Sequence, residues 1–216
     1  MKKRILIVDD HPLICEWLEQ LINRQADLTV CGVADSAPRA LQAAEELRPD
    51  CVVVDITLKR GSGIELLKDL KRLFSEMGLV VLTMHEEEVY AERAIRAGAR
   101  AYVNKRTSTD NILSAIRGVL ELGLYLSPEL TSKIAEQALG GNAPEDAVSP
   151  QALSDREFDV FRKLGEGHET SEIAESLGVS LAVVQANCGR IKRKLGLRTF
   201  AEVRREAIRW SGGSGA

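Results

Sequence analysis

Through roughly the first 122 residues, short apolar runs alternate with stretches in which apolar positions recur every three or four residues. The runs occupy 5–8, 28–33, 51–54, 79–82 and 101–103. Cys51, Val52, Val53 and Val54 are apolar at every position, as in a strand covered on both faces. Between the runs, Leu13, Trp17, Leu18, Leu21 and Ile22 predict a helix over 12–25. Ala40, Leu41, Ala44 and Leu47 predict a second, halted at Pro49. Ile64, Leu66, Leu67, Leu70 and Leu73 mark a third. Val89, Ala91, Ala94 and Ile95 mark a fourth, stopped by Gly98. Ile112, Leu113, Ile116, Val119 and Leu120 mark a fifth. Five strands alternating with five helices predict an α/β unit with a parallel sheet covered on both faces.

Beyond residue 150 the strand pattern vanishes and four helical patterns follow, which predicts an all-α unit. Ser154 and Glu157 form a capping box at its start, and Phe158, Phe161 and Leu164 share one face. Gly165 and Gly167 end that helix. Thr170 or Ser171 is expected to cap a second, which carries Ile173, Ala174 and Leu177. Gly178 then supplies a tight turn and Ser180 the next cap. Val184, Cys188, Ile191 and Leu195 form the buried stripe of a third helix over about 181–195, and Thr199 caps a fourth that reaches about Trp210. Two helices joined by a tight glycine turn, the second ending in cations, form a helix-turn-helix pattern. Between the units, Ser127 and Pro128 open a helix to about residue 138, and 140–146 reads as a flexible linker. The expected division is a first unit over 1–124, a linker over 125–149, a helical unit over 150–210 and a disordered tail over 211–216.

The chain has 216 residues, 44% of them hydrophobic, enough for each unit to have its own core. No apolar run approaches the ~20 residues of a membrane-spanning helix. The basic start, Met1 to Arg4, meets an apolar run that stops at Asp9, too short for a secretory leader, so a cytoplasmic chain without membrane contact is expected. Cys15, Cys31, Cys51 and Cys188 are scattered and read as small buried side chains. A net charge of −3 excludes a surface that coats nucleic acid throughout, but not a local basic patch.

Ligands of an open parallel sheet sit beyond the carboxyl ends of its strands. Those ends carry Asp9 and Asp10, then Asp55, Thr83, and Asn104 with Lys105. Carboxylates crowded in this way need a cation, and hard oxygen donors suit Mg²⁺. One of them can then act as a nucleophile toward a phosphoryl group while the lysine offsets its charge.

Val8-Asp9-Asp10-His11, Val54-Asp55-Ile56-Thr57-Leu58, Gly63, Leu82-Thr83-Met84, Ala97-Gly98-Ala99 and Tyr102-Val103-Asn104-Lys105 resemble the receiver domains of two-component response regulators. The resemblance implies a flavodoxin-like, doubly wound five-stranded sheet with Asp55 as phosphoacceptor. It implies Mg²⁺ held by Asp9, Asp10, Asp55 and the backbone carbonyl of Thr57. Thr83 would bond the phosphoryl group, Lys105 would pair with it, and Thr83 with Tyr102 would form the switch. The chain departs from the common pattern at Lys59 and Arg106, where receivers often carry proline. Thr57 and His85 hold positions that tune phosphate lifetime in that family.

The C-terminal unit is similar to the LuxR-type output domain of the NarL/FixJ class, on 153–157, Glu172-Ile173-Ala174, Leu177, Ser180 and 191–196, together with Tyr125-Leu126-Ser127-Pro128 before the linker. That class usually reads Thr-Val-Lys-x-His where this chain reads Val183-Val184-Gln185-Ala186-Asn187. Gln185 and Asn187 can bond base edges. Arg190, Lys192 and Lys194 belong to a cluster with Arg193 and Arg198 that contains no acidic residue and is suited to phosphates. The resemblance implies a non-enzymatic, DNA-binding transcription regulator, phosphorylated by a histidine kinase and dimeric when phosphorylated or DNA-bound. An alternative is a phosphorylation-dependent protein-interaction switch whose output domain has lost specific DNA binding. An aspartate-nucleophile phosphatase would need an acid two residues after Asp55, where Thr57 stands. No Gly-rich phosphate loop is present either.

Overall fold

The computed structural model describes residues 1–84, 87–126, 131 and 150–213. The expected linker helix over 127–138, the linker at 140–146 and His85 fall outside the described residues. The chain divides into two compact units, Met1–Gly140 and Gly141–Ala216. No described helix is long and apolar enough to cross a membrane.

In the first unit, β1 (Lys3–Val8), β2 (Leu28–Ala34), β3 (Cys51–Val54), β4 (Gly78–Thr83) and β5 (Ala101–Asn104) pair in parallel in the order β2-β1-β3-β4-β5. They alternate with α1 (Pro12–Asn23), α2 (Ala37–Leu47), α3 (Gly63–Leu73), α4 (Glu87–Ala97) and α5 (Thr109–Leu122). Side chains alternate across a strand, and the central strands bury both sets. Ile5, Ile7, Cys51, Val53, Val80, Leu82, Ala101 and Val103 form one core with Leu18 and Ile22 of α1 and Ile112, Ile116 and Val119 of α5. The alternate set, among them Leu6, Val8, Val52, Val54, Leu79, Val81 and Tyr102, is also buried. It points to the opposite side of the sheet, where α2, α3 and α4 pack side by side. The sheet is therefore doubly wound, and its order reverses between β1 and β3.

The second unit follows a short 3-10 turn, Pro150–Ala152. It contains α6 (Asp155–Gly165), α7 (Thr170–Leu177), α8 (Leu181–Lys194) and α9 (Phe200–Gly213). The capping box forms as the spacing requires: Ser154 Oγ accepts from Glu157 N, and Glu157 Oε2 accepts from Ser154 N at 2.8 Å. Helix α7 differs from expectation. Its cap is Glu169, whose N–H donates to Glu172 Oε2 at 2.8 Å, and Thr170 is already helical. Gly178, with φ of 65°, turns the chain through the left-handed region, and Ser180 caps α8. Helix α9 also runs past its expected end, through Ser211 to Gly213. The Trp210 ring lies edge-on to Phe158, with centroids 5.3 Å apart, and this packing anchors the last turns. Residues 214–216 are outside the described residues. Cys15, Cys51 and Cys188 are buried and Cys31 is half-buried, all as free thiols.

One close approach positions the loop after β3. A Cβ built on Gly63 would lie 2.5 Å from Ile56 Cα and 2.7 Å from the carbonyl oxygens of Asp55 and Ile56. All three are backbone atoms next to Asp55, so the obstruction cannot be relieved by a rotamer change. Gly63→Ala is expected to destabilise the first unit by about 1–3 kcal/mol. Urea denaturation of the full chain would show this as an earlier first-unit transition, and an unmoved transition would refute the close fit.

Candidate functional site

The parallel ladders continue one residue past the strands and draw the polar ends together. Asp9 N donates to Ala34 O at 3.0 Å, Asp55 N to Val8 O at 2.8 Å, and Lys105 N to Thr83 O at 2.7 Å. Asp9, Asp10, Asp55, Thr83 and Lys105 consequently meet at one edge of the sheet, where the strand order reverses. Asp9 and Asp55 are each 3% exposed and Thr83 is fully buried.

Lys105 organises the pocket. Its Nζ donates to Asp55 Oδ2 at 2.7 Å and also to Asp9 Oδ2, and its side chain is 4% exposed. Asp55 Oδ1 accepts from Thr57 N at 3.0 Å. Asp9 Oδ1 accepts from His11 N at 2.9 Å. Burial is the largest influence on both members of the central pair. It pushes the Asp55 carboxyl above its ordinary value, and Lys105 pulls it back only in part. On Lys105 burial acts downward, but the charges and hydrogen bonds of Asp55 and Asp9 outweigh it and keep the ammonium raised. Two of the three carboxylates thus share one buried cation.

Asp10 is served differently. Its Oδ2 accepts from Lys59 N at 3.2 Å. Its Oδ1 is buried and accepts no hydrogen bond. The His11 ring joins the group, with Nδ1 3.0 Å from both Asp9 Oδ1 and Asp10 Oδ1. One donor atom from each of Asp9, Asp10, His11 and Asp55 lies within 4.8 Å of the others. A buried carboxylate oxygen without a hydrogen bond, beside two further carboxylates, fits a hard divalent cation. His11 was not among the expected site residues, although it directly follows the two acids and precedes the Pro12 that starts α1. Tyr102, on the strand leading to Lys105, is 1% exposed. All described peptide bonds are trans, including that between Lys105 and Arg106.

In the second unit, the five expected DNA-facing residues do not share one surface. Gln185 and Lys192, with Gly189 between them, border a cavity of about 320 Å³ together with Thr170 and Phe200. Arg190 and Lys194 lie on another flank, held by a buried carboxylate. Arg190 Nε is 3.3 Å from Glu157 Oε1, and Lys194 Nζ donates to Glu157 Oε2 at 2.7 Å. Asn187 corrects the expectation that it faces the groove. It is 1% exposed, donates to Val183 O at 2.8 Å and accepts from Arg190 Nη2 at 2.8 Å. Position 187 lies three residues after Val184 and just before Cys188, on the inward side of α8, so its amide orients Arg190 from within. The remaining members of the basic cluster, Arg193 and Arg198, are exposed. Glu157 was expected only as a cap, and its second role depends on how α8 packs on α6.

Residues 5–117 match the response regulator receiver domain family, and residues 151–209 match the luxR family of bacterial regulatory proteins. The chain is 31% identical to the transcriptional regulatory protein MctR of Rhizobium johnstonii, over 96% of this chain and 94% of the relative. A two-component response regulator of the LuxR family from Aurantimonas sp. SI85-9A1 is 32% identical in its crystal structure. That match has a TM-score of 0.59 over 64% of this chain and 99% of the other. RcsB from Salmonella enterica serovar Typhimurium, bound to promoter rprA in the presence of phosphomimetic BeF3−, is similar in fold. It has 22% identity and a TM-score of 0.68 over 95% of this chain and 98% of that one.

The Glu157 contacts carry a stability prediction. Burial works to raise this carboxyl, but Lys194 and the Ser154 cap outweigh it and hold it below the ordinary glutamate value. A lowered folded value means the contribution is present at neutral pH and lost as pH falls through that lowered value. Glu157→Gln is expected to destabilise the second unit by about 1–2 kcal/mol at neutral pH. The gap to wild type should close on acidification, as wild-type Glu157 itself becomes neutral. Denaturant titrations at stepped pH check this, and a gap independent of pH would count against it.

Proposed function

The chain belongs to the response regulators that join a receiver domain to a LuxR-type DNA-binding domain, and from that membership we propose that phosphorylation of Asp55 controls DNA binding by the C-terminal unit. The observation that carries this reading is the convergence of Asp9, Asp10 and Asp55 at the strand ends, with Lys105 bonded to Asp9 and Asp55. The expected donor is a phosphohistidine of a histidine kinase. An Asp55 carboxylate oxygen forms a new bond to phosphorus, the phosphorus–nitrogen bond breaks, and the electron pair and a proton return to the imidazole. The product is an acyl phosphate on Asp55.

Mg²⁺ is the cofactor in this reading, with Asp9, Asp10, Asp55 and the Thr57 carbonyl as its protein ligands. When bound, it neutralises charge on the carboxylates and on the transferring phosphoryl oxygens. The chain's own residues do the remainder. Thr57 N holds one oxygen of Asp55 and Lys105 the other, which orients the carboxylate. Lys105 is already charged and desolvated, so it pairs with phosphoryl oxygens without first shedding a hydration shell. Thr83 supplies a hydroxyl from the neighbouring strand end. Thr83 and Tyr102 together form the switch that carries the added charge to the rest of the receiver.

In the output unit, Gln185 and Lys192 face DNA on one edge of α8 and Arg190 on the other. Two copies of the chain bind paired half-sites when phosphorylated. A second reading is favoured by one observation: Glu157 already engages Arg190 and Lys194, and Gln185 brings no charge. In that reading the output unit binds protein in place of a specific operator.

Treatment with acetyl phosphate and Mg²⁺ should add one phosphoryl group to the intact protein by mass spectrometry. Asp55→Asn, or removal of Mg²⁺, should reduce the uptake by at least about a hundredfold; uptake insensitive to both would sink the proposal. Selection of genomic fragments with and without beryllofluoride separates the two output readings. In mobility shifts on a selected fragment, Gln185→Ala and Arg190→Ala should each weaken binding by roughly five- to a hundredfold. Unchanged affinity in both would remove these residues from the interface.

A further inference from the structure

Lys59 stands at the mouth of the carboxylate pocket and makes three contacts to one residue. Its backbone N–H donates to Asp10 Oδ2 at 3.2 Å. Its Nζ lies 3.4 Å from the same oxygen and 3.5 Å from the Asp10 carbonyl oxygen. The two cations of the pocket divide the acids between them: Lys105 bonds Asp9 and Asp55, and Lys59 pairs with Asp10. They differ in freedom. The Lys105 side chain is 4% exposed, whereas that of Lys59 is 73% exposed over a carboxylate that is itself 4% exposed. Lys105 is therefore fixed, while Lys59 can rotate into solvent with little loss, because a solvated ammonium exchanges one set of partners for water.

We propose that Lys59 is a counter-cation that competes with a divalent cation for Asp10: it occupies Oδ2 of that carboxylate in the resting pocket, must yield its charge as a cation enters beside the open Oδ1, and so lowers the protein's affinity for the metal. The proposal rests on the reading of this pocket as a divalent-cation site. A unit positive charge at the rim opposes an incoming dication twice over. It repels the ion, and its contact with Asp10 weakens as the ion draws the charge of that carboxylate to itself. The backbone N–H of Lys59 stays in place through this exchange and keeps the loop after β3 attached to Asp10. Lys59 is thus a positioning residue whose charge sets a threshold Mg²⁺ concentration for the pocket.

The test is calorimetric titration of Mg²⁺ into the unphosphorylated full chain at low ionic strength. Lys59→Gln should tighten Mg²⁺ binding roughly two- to fivefold, the range set by loss of one solvent-facing ion pair. Lys59→Glu should tighten it further, and Lys59→Arg should restore the wild-type value. The Lys59→Gln advantage should shrink as NaCl is raised, since the contact is solvent-facing. Equal affinity for wild type, Lys59→Gln and Lys59→Glu overturns the proposal and leaves the metal-site reading standing, provided Asp10→Asn abolishes binding. If wild type and every Lys59 variant fail to bind Mg²⁺, the site reading falls and this proposal with it.

Discussion

The pocket depends on one interaction, the buried ammonium of Lys105 shared between Asp9 and Asp55. Two carboxylates at neighbouring strand ends would repel each other strongly once removed from water. The lysine makes their approach tolerable, and it comes from the far side of the sheet, 50 residues beyond Asp55. The three groups meet only if β1, β3, β4 and β5 hold their register to the last residue. The hydrogen bonds from Asp55 N to Val8 O and from Lys105 N to Thr83 O supply that register. The apolar layers on both faces of the sheet hold the strands from either side, so the same sequence pattern that builds the core also aims the charges.

This arrangement is electrostatically incomplete in a useful way. Lys105 balances only part of the charge of three acids, and Asp10 retains a buried oxygen without a hydrogen bond. A pocket with that surplus attracts cations, and a phosphoryl group brought to it meets an ammonium whose desolvation was accomplished during folding. Lys59 and His11 add a softer layer at the rim, solvent-facing and able to rearrange.

Much of this was legible from the sequence because strand ends are easy to find. An apolar run that stops at an acid or a lysine states both where the strand ends and what it presents there. The doubly wound sheet, the capping box at Ser154 and the glycine turn at Gly178 follow from local rules of period, cap and turn. What could not be read depends on packing between segments distant in sequence. Asn187 looks like a polar helix-surface residue until α8 is laid on its neighbours, when position 187 turns inward. Glu157 is recognisable as a cap, but its hold on Arg190 and Lys194 needs α6 and α8 in contact. Lys59 stands out in the sequence only as a departure from proline, and its reach to Asp10 is a property of the folded loop. The helix ends at Glu169 and Gly213 moved for the same reason, since reciprocal glutamate bonding and the Trp210 ring override composition.

The Glu157 clamp has a consequence for how much of the basic edge is available. A phosphate that draws Lys194 or Arg190 away leaves a buried anion short of its counter-charge and weakens the start of α6 at the same moment. Nucleic-acid contact on that flank is therefore tied to the folding energy of the domain that makes it. The five cations of the run are not five equivalent handles: some are free to greet a duplex, while others can do so only by loosening the scaffold beneath them.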